Sequence, residues 1–352
     1  MDKVLQSPEA RLPAEKNTRE WAALAQQMSA AGLELGGLGL SPRLAAEEVT
    51  FTTRGGAARY ASRFPKIDVE LSTAIDQAEF FGDFRSRILH AVQLVGPYLA
   101  GYALLSPFAL TFNLGDAGSA GALSFDRPEG SDWPLCPDMY LLQAQARSTD
   151  THVEALVETD FRKRIPLVFW RGSTTGSGWI RSVSDLMSST RVMLCLRVRA
   201  ALGERADCRI SRIVQLDGLT ETEAVSALNA AGVLADEVPE SAFGAYQMFL
   251  DLPGNTAAWG TCFKYLAGCL VLKPPSGREL SYSHLLRPWQ HYIPVAGDMS
   301  DIADRVAWVD DHPDEAAAIA RNGQAKMRAF VEDVATHMLR AFEANNTTSE
   351  LR

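Results

Sequence analysis

Apolar positions along the chain alternate between two rhythms. From Ala74 to Tyr98 they recur at the three- and four-residue spacing of a helix face. Past Pro107 the run Phe108-Ala109-Leu110-Thr111-Phe112-Asn113-Leu114 is short, continuous and rich in strand formers, and it stops at the turn Gly115-Asp116-Ala117-Gly118. Ser124 to Asp138 holds Pro128, Gly130, Pro134 and Pro137 and reads as loop, after which Met139 to Arg147 begins another element. Ile165-Pro166-Leu167-Val168-Phe169-Trp170 predicts a strand, Arg171 to Gly178 a Gly/Ser/Thr loop, and Ile180 to Leu186 a helix. The same order returns as a strand over Ala245–Leu252, a turn at Pro253-Gly254-Asn255-Thr256, a helix from Ala257 to Leu266 closed by Gly268, and a strand at Leu270–Lys273. This βαβ unit predicts a right-handed crossover on a parallel sheet. Trp289–Val295 adds one more strand, and amphipathic helices follow near Ser300–Val309 and Pro313–Val331. The first forty residues, with Ala31-Gly32-Leu33 and Gly36-Gly37-Leu38-Gly39, lack long helical periodicity and read as a peripheral extension.

A chain of 352 residues exceeds what one core usually organises, which predicts two domains of roughly 150 residues each. With 47% apolar and 22% charged residues, the composition is that of a globular protein. A net charge of -9 offers no general attraction to nucleic acid, which is excluded as an expected partner. The basic stretches Arg162-Lys163-Arg164 and Arg191, Arg197, Arg199 read as solvated faces or helix ends, with the wall of an anionic ligand site as the alternative. Five cysteines without a C-x-x-C pair predict a reducing compartment. No apolar stretch approaches the roughly 20 residues of a membrane span. The N-terminus lacks a signal-peptide core and Glu350-Leu351-Arg352 is no retention signal, so a cytoplasmic location is expected, with peripheral membrane contact left open.

The chemistry lies in two places. Asp116, just beyond a strand, is either a turn residue stabilised by local hydrogen bonds or a general base that removes a proton from a hydroxyl. The Arg171–Gly178 segment is either a flexible linker or a diphosphate cradle combining a guanidinium, hydroxyls and glycine N–H groups. It lacks both the Lys-Ser/Thr end of a Walker loop and the dinucleotide G-x-G-x-x-G pattern, which counts against ATPases and dehydrogenases. No Asp-x-Asp occurs, so leaving-group charge falls to Arg, Lys and the starts of the helices after Gly176 and Gly254. The six histidines are scattered without H-E-x-x-H spacing, and His291 reads as a structural residue at a strand start.

Three segments together resemble glycosyltransferase family 90: Phe112-Asn113-Leu114-Gly115-Asp116; Val168-Phe169-Trp170-Arg171-Gly172-Ser173-Thr174-Thr175-Gly176; and Leu250-Asp251 through Gly254-Asn255 and Trp259-Gly260 to Lys264, running into Leu286-Arg287-Pro288-Trp289-Gln290-His291-Tyr292-Ile293-Pro294-Val295. That family includes Rumi-type protein O-glucosyltransferases, fungal capsule xylosyltransferases and bacterial lipopolysaccharide-modifying proteins. The resemblance spans roughly Leu110 to Phe330. It implies an α/β fold of GT-B type, with two Rossmann-like lobes and a donor/acceptor cleft between them. The expected divisions are an extension at 1–40, an acceptor-side lobe at 41–160, a nucleotide-sugar lobe at 161–330 and a C-terminal helix or tail at 331–352 that crosses back to the first lobe.

The resemblance also implies an inverting transfer of glucose or xylose from a UDP-sugar co-substrate, without metal or other cofactor, to a hydroxyl of a glycan, lipopolysaccharide, lipid-linked glycan or protein. Asp116 matches the family's catalytic base. Arg171, Gly172 and Ser173, continuing into Thr174 and Thr175, match its donor loop, and Gly254, Asn255, Thr256, Ala257 and Trp259 match the segment facing the diphosphate. Animal members carry an Arg near the position of Trp259-Gly260, and here Lys264, Arg181 or Arg191 stands in for its charge. Those members are secretory and disulfide-bonded, and this chain resembles a bacterial cytoplasmic relative instead. Two rivals are a nucleotide-sugar epimerase, against which the missing dinucleotide fingerprint counts, and a catalytically silent α/β scaffold that binds glycan or nucleotide.

Overall fold

The computed structural model describes residues 40–45, 48–53, 95, 98, 102, 108–113, 118–148, 160–258 and 260–346. The extension up to residue 39, most of the helix expected over Ala74–Tyr98, the turn holding Gly115 and Asp116, and Trp259 lie outside the described residues. The chain forms two compact units, divided near Leu142 and again at Asp333. Among the described residues no helix is long and apolar enough to cross a membrane.

In the first unit β1 (Leu40–Ala45) and β2 (Glu48–Thr53) form an antiparallel hairpin. β2 pairs antiparallel with β3 (Ala109–Asn113), which pairs parallel with β4 (Leu123–Ser124). β3 is the apolar run ahead of Asp116, and Leu110 and Phe112 are buried in it. The hairpin carries no clear strand pattern in the sequence, because Leu40–Thr53 mixes Ser, Pro, Arg and Glu with its apolar residues. Helix α1 (Met139–Ser148) starts behind Asp138, whose Oδ1 accepts the N–H groups of Tyr140 at 2.9 Å and Leu141 at 3.1 Å.

The second unit opens with β5 (Ile165–Ser173), followed by α2 (Val183–Ser188), α3 (Thr190–Leu202), β6 (Ala206–Arg212) and α4 (Glu221–Ala230). It continues through β7 (Tyr246–Leu250), α5 (Thr261–Leu266), β8 (Leu270–Lys273) and β9 (Ile293–Pro294), and ends with α6 (Ile302–Asp311) and α7 (Pro313–Glu332). The strands make one parallel sheet in the order β9-β8-β7-β5-β6. β7 and β8 are near-continuous apolar runs because helices cover both faces of such a sheet. The last helix, α8 (Val334–Ala344), belongs to the first unit, where Phe342 packs edge-on against Tyr102 and Phe112 with ring centroids 5.7 and 5.8 Å apart.

Three sequence expectations need correction. β5 runs on to Ser173, so Arg171 and Gly172 belong to a strand and the loop begins at Thr174. The helix expected from Ala257 begins only at Thr261. The strand expected over Trp289–Val295 shrinks to two residues, because Arg287–Tyr292 folds into a turn. There Trp289 takes a positive φ of 61° and donates to the Tyr292 carbonyl at 2.7 Å.

Helix α7 presents Ala316, Ala320, Gly323, Met327 and Phe330 to the interior. At Gly323 a Cβ would lie 2.6 Å from the His291 carbonyl and 2.9 Å from the Tyr265 ring. Gly323→Ala should therefore destabilise the protein by about 1–3 kcal/mol in urea denaturation, even though alanine favours a free helix by about 1 kcal/mol. An unchanged midpoint would show that α7 can move away at no cost.

Asp138 is fully buried, and its Oδ2 has no hydrogen-bond partner among the described residues. Burial pushes its carboxyl up to about 7; the N–H groups of Leu141 and Tyr140 pull down and Asp126 pushes up. A raised native pKa contributes stability that is present below the unfolded value and lost as pH rises through the native one. The protein should lose stability between roughly pH 4 and 7 from this group, at about 1.4 kcal/mol per pKa unit. Asp138→Asn keeps the cap and cannot ionise. Its stability relative to the parent should rise across that window and level off above it, whereas parallel pH profiles would exclude Asp138 as the source.

Candidate active site

β5 and β7 are parallel neighbours, so their C-terminal ends open at the same edge of the sheet, where α/β folds bind ligands. The Thr174–Gly178 loop leaves β5, and a second loop leaves β7 from Asp251 to Ala258. The two touch backbone to backbone. Gly176 has a φ of 108°, and a Cβ there would meet the Gly254 carbonyl at 2.9 Å. A Cβ on Gly254 would in turn lie 2.8 Å from Thr175 Oγ1 and 2.9 Å from Arg191 Nη2. The Gly176 N–H donates to Asn255 Oδ1 at 3.0 Å. Both glycines are needed for this approach, since any side chain would separate the loops.

Arg191, in the first turn of α3, ties the loops together. Its Nε donates to the Pro253 carbonyl at 2.9 Å, Nη2 to the Leu252 carbonyl at 3.1 Å, and Nη1 to Thr175 Oγ1 at 2.7 Å and the Ser173 carbonyl at 3.2 Å. Burial pulls its guanidinium down to about 10, so it is charged at neutral pH. Thr174 fastens the first loop to the exit of β6: its hydroxyl donates to the Val214 carbonyl at 2.8 Å and accepts the Val214 N–H at 2.9 Å. The structure thus brings Ser173, Thr174, Thr175, Gly254, Asn255 and Arg191 together, with Thr256 and Ala257 in the second loop.

Arg171 and Arg181 point elsewhere. The Arg171 guanidinium meets the Asp207 carboxylate at 2.7 Å and the Asp207 and Trp170 carbonyls at 2.7 and 2.9 Å, within β5 and β6. Arg181 pairs with Asp217 at 3.1 Å in an exposed position. Gly172 stands two residues past the bulky Trp170, whose ring a Cβ at Gly172 would strike at 2.5 Å. The helix expected to receive an anion after Gly176 is also corrected. α2 has six residues, and its start is already filled by the Ser182 side chain, which accepts the Asp185 N–H. The helix next to the loop is α3, whose Thr190 N–H donates to Ser177 Oγ at 2.8 Å.

Beside the loops, Asp251 is buried at 3% exposure. Its Oδ1 accepts from the Thr261 hydroxyl at 2.6 Å and from the Lys264 ammonium, and its Oδ2 accepts from the Lys273 ammonium at 2.9 Å. Burial on its own would raise the Asp251 pKa. The charges of Lys264 and Lys273, with the hydrogen bonds from Lys264 and Thr261, outweigh it and hold the carboxyl far below the usual carboxylate range. Two cations, Lys264 and Lys273, contact this one carboxylate, and Arg191 is near enough to feel its charge, which suits this edge to an anion. Asp251 stands in the third segment of the resemblance without a role of its own there, and Lys273 lies outside that segment, so neither is a site residue in the sequence reading. Among the described residues no group of three or more His, Cys, Asp or Glu side chains is placed to hold a metal ion.

The model of glycosyl transferase family 90 matches residues 145–344, more than half of the chain and all of the loop pair. This chain belongs to glycosyl transferase family 90. Protein O-glucosyltransferase 3 of Rattus norvegicus is 32% identical over 90 residues, covering 26% of this chain and 18% of that protein. An uncharacterized protein, 027R, of Frog virus 3 is 28% identical over 171 residues, covering 46% of this chain and 18% of its own length. The matched stretch is thus under a fifth of each of these two relatives. A solved structure of Anabaena HepE in complex with UDP-glucose overlaps with a TM-score of 0.36 and 12% identity, over 57% of this chain and 52% of that one.

In this family 90 chain the loop pair depends on a planar fork that reaches several acceptors at once, which a lysine cannot reproduce. Arg191→Lys should cost about 1–3 kcal/mol per carbonyl left without a donor. The amides of residues 254–258 should exchange with deuterium faster, while those of β7 stay protected. Unchanged exchange in that loop would mean that the glycine contacts suffice without the arginine.

Proposed function

We propose that this protein is an inverting, metal-independent glycosyltransferase of the GT-B type that moves a sugar, glucose or xylose, from a UDP-sugar to a hydroxyl acceptor. The observation that carries the reading is the laced pair of glycine loops at the β5 and β7 exits, set beside the Asp251–Lys264–Lys273 cluster. Glycines at two facing turns let a backbone approach a diphosphate closely, and the cations beside them match its charge. The family and the O-glucosyltransferase relatives agree with that chemistry.

In the proposed reaction Asp116 takes the proton of the acceptor hydroxyl as its oxygen attacks the anomeric carbon. UDP departs from the opposite face, and a single displacement inverts the centre. Positioning and electrostatics supply most of the rate. The acceptor is a glycan, a lipid-linked glycan or a protein hydroxyl. The five cysteines, all buried, suit a reducing cytoplasm.

The test is UDP release from UDP-glucose and UDP-xylose, measured together with UDP affinity. Turnover in the presence of acceptor sugars supports a transferase, UDP binding without any release supports a silent nucleotide-binding scaffold, and no UDP binding at all removes the reading. Asp116→Asn should lower turnover about 10²–10⁴-fold and leave UDP affinity intact, the size of a lost general base. Near-normal turnover would take Asp116 out of the mechanism.

A further inference from the structure

The cations near the sheet edge are not equally available to a ligand. Arg171 is held by Asp207, and Arg181 lies in solvent on Asp217. Arg191 is occupied by the Ser173, Leu252 and Pro253 carbonyls and the Thr175 hydroxyl. Lys264 is buried on Asp251 Oδ1, with its ammonium 5.4 Å from the centre of the Phe249 ring.

Lys273 differs from all of these. It is the last residue of β8, next to β7 in the sheet, so its side chain leaves from the same edge as the second glycine loop. Its side chain keeps 24% exposure against 8% for Lys264. An ammonium has three N–H donors. Asp251 Oδ2 takes one at 2.9 Å, and no other described residue takes a second.

Charge leads to the same place. Lys264 already neutralises Asp251 from within, so the second ammonium on that carboxylate is surplus positive charge. Two lysines crowding one buried carboxylate repel each other, and an anion at the open side of Lys273 relieves that repulsion. A merely structural counter-ion needs no second, half-open lysine.

We propose that Lys273 contacts the diphosphate of the UDP-sugar and stabilises the charge that develops as UDP leaves, with Asp251 fixing its ammonium at the strand exit. The proposal rests on the glycosyltransferase reading above. In the step concerned, the bond from the anomeric carbon to the β-phosphate oxygen breaks and its electron pair stays on that oxygen. The acceptor oxygen forms the new bond to carbon, and its proton passes to Asp116. Lys273 donates hydrogen bonds to the departing phosphate and transfers no proton.

The test compares the full chain with Lys273→Gln and Lys273→Arg, using UDP by calorimetry and uridine, which has no phosphate, by ligand-observed NMR titration. Lys273→Gln can still donate to Asp251. It should bind UDP about 10- to 100-fold more weakly, the range of one charge-assisted contact, with uridine affinity unchanged within about twofold. Lys273→Arg should recover most of the loss, and kcat for UDP-sugar turnover should fall and recover in parallel.

If both variants bind UDP like the parent, or if Lys273→Gln loses UDP and uridine alike, the ammonium is a structural counter-ion and the proposal fails while the transferase reading stands. If the parent protein binds no UDP, both fall together. A glutamine variant that does not fold leaves the arginine variant to decide: with the charge kept and the ammonium replaced by a planar fork, UDP binding as weak as uridine binding would also overturn the assignment.

Discussion

A carboxylate withdrawn from water at the end of a central strand must be met by cations, and Asp251 sets that requirement for the second unit. Thr261 and Lys264 reach it only if α5 starts directly after the second glycine loop, and Lys273 reaches it only if β8 lies beside β7 and ends at that residue. The Asp251 N–H donates to the Leu272 carbonyl at 2.9 Å, so backbone and side chain of one residue hold the same two strands together. Removing one partner from such a group leaves an uncompensated charge, which typically costs about 3–5 kcal/mol. The geometry of the sheet edge is therefore fixed by electrostatics as much as by the apolar residues Met248, Phe249 and Leu250 behind it.

Much of this unit is legible in the sequence. β5, β7 and β8 appear as short apolar runs because both faces of a parallel sheet are covered, and β8 is read to the residue. β6 escapes notice because Ala206-Asp207-Cys208-Arg209-Ile210-Ser211-Arg212 is an edge strand with alternating burial, and its polar half hides the pattern. α3 escapes because Arg191, Arg197 and Arg199 read as a basic surface, whereas Arg191 turns inward to acceptors on four residues, Ser173, Thr175, Leu252 and Pro253. Arg164 shows the same effect. It looks like part of a solvated Arg-Lys-Arg run, yet it is buried and donates to the Ala267 carbonyl just past α5 at 2.9 Å.

The site is legible as loops and illegible as electrostatics. Gly176 and Gly254 stand out as turn residues after apolar runs, and their contact needs only that the two strands be neighbours. The Asp251 cluster joins residues 13 and 22 positions apart on three elements, and no local spacing announces it. The string Trp289–Val295 misleads in the opposite sense. Its aromatic and β-branched residues favour a strand, but the positive φ at Trp289 and the hydrogen bonds closing the turn allow only two strand residues.

Arginine and lysine divide the work at this edge according to their shapes. A guanidinium presents a fixed planar fork, which suits Arg191 to hold carbonyls that do not move relative to one another. An ammonium on a flexible stem can keep one contact and swing its other donors toward an incoming group, which suits a lysine at the open side of the cluster. The overall charge of -9 does not oppose this, since charges beyond about 8–10 Å are largely screened at physiological ionic strength. A local excess of cations at the strand ends therefore attracts a small anion to one place while the acidic surface turns away polyanions that need a broad basic face. A net charge that disfavours broad polyanion binding and a local cluster of lysines that suits a small anion are consistent because they act over different distances.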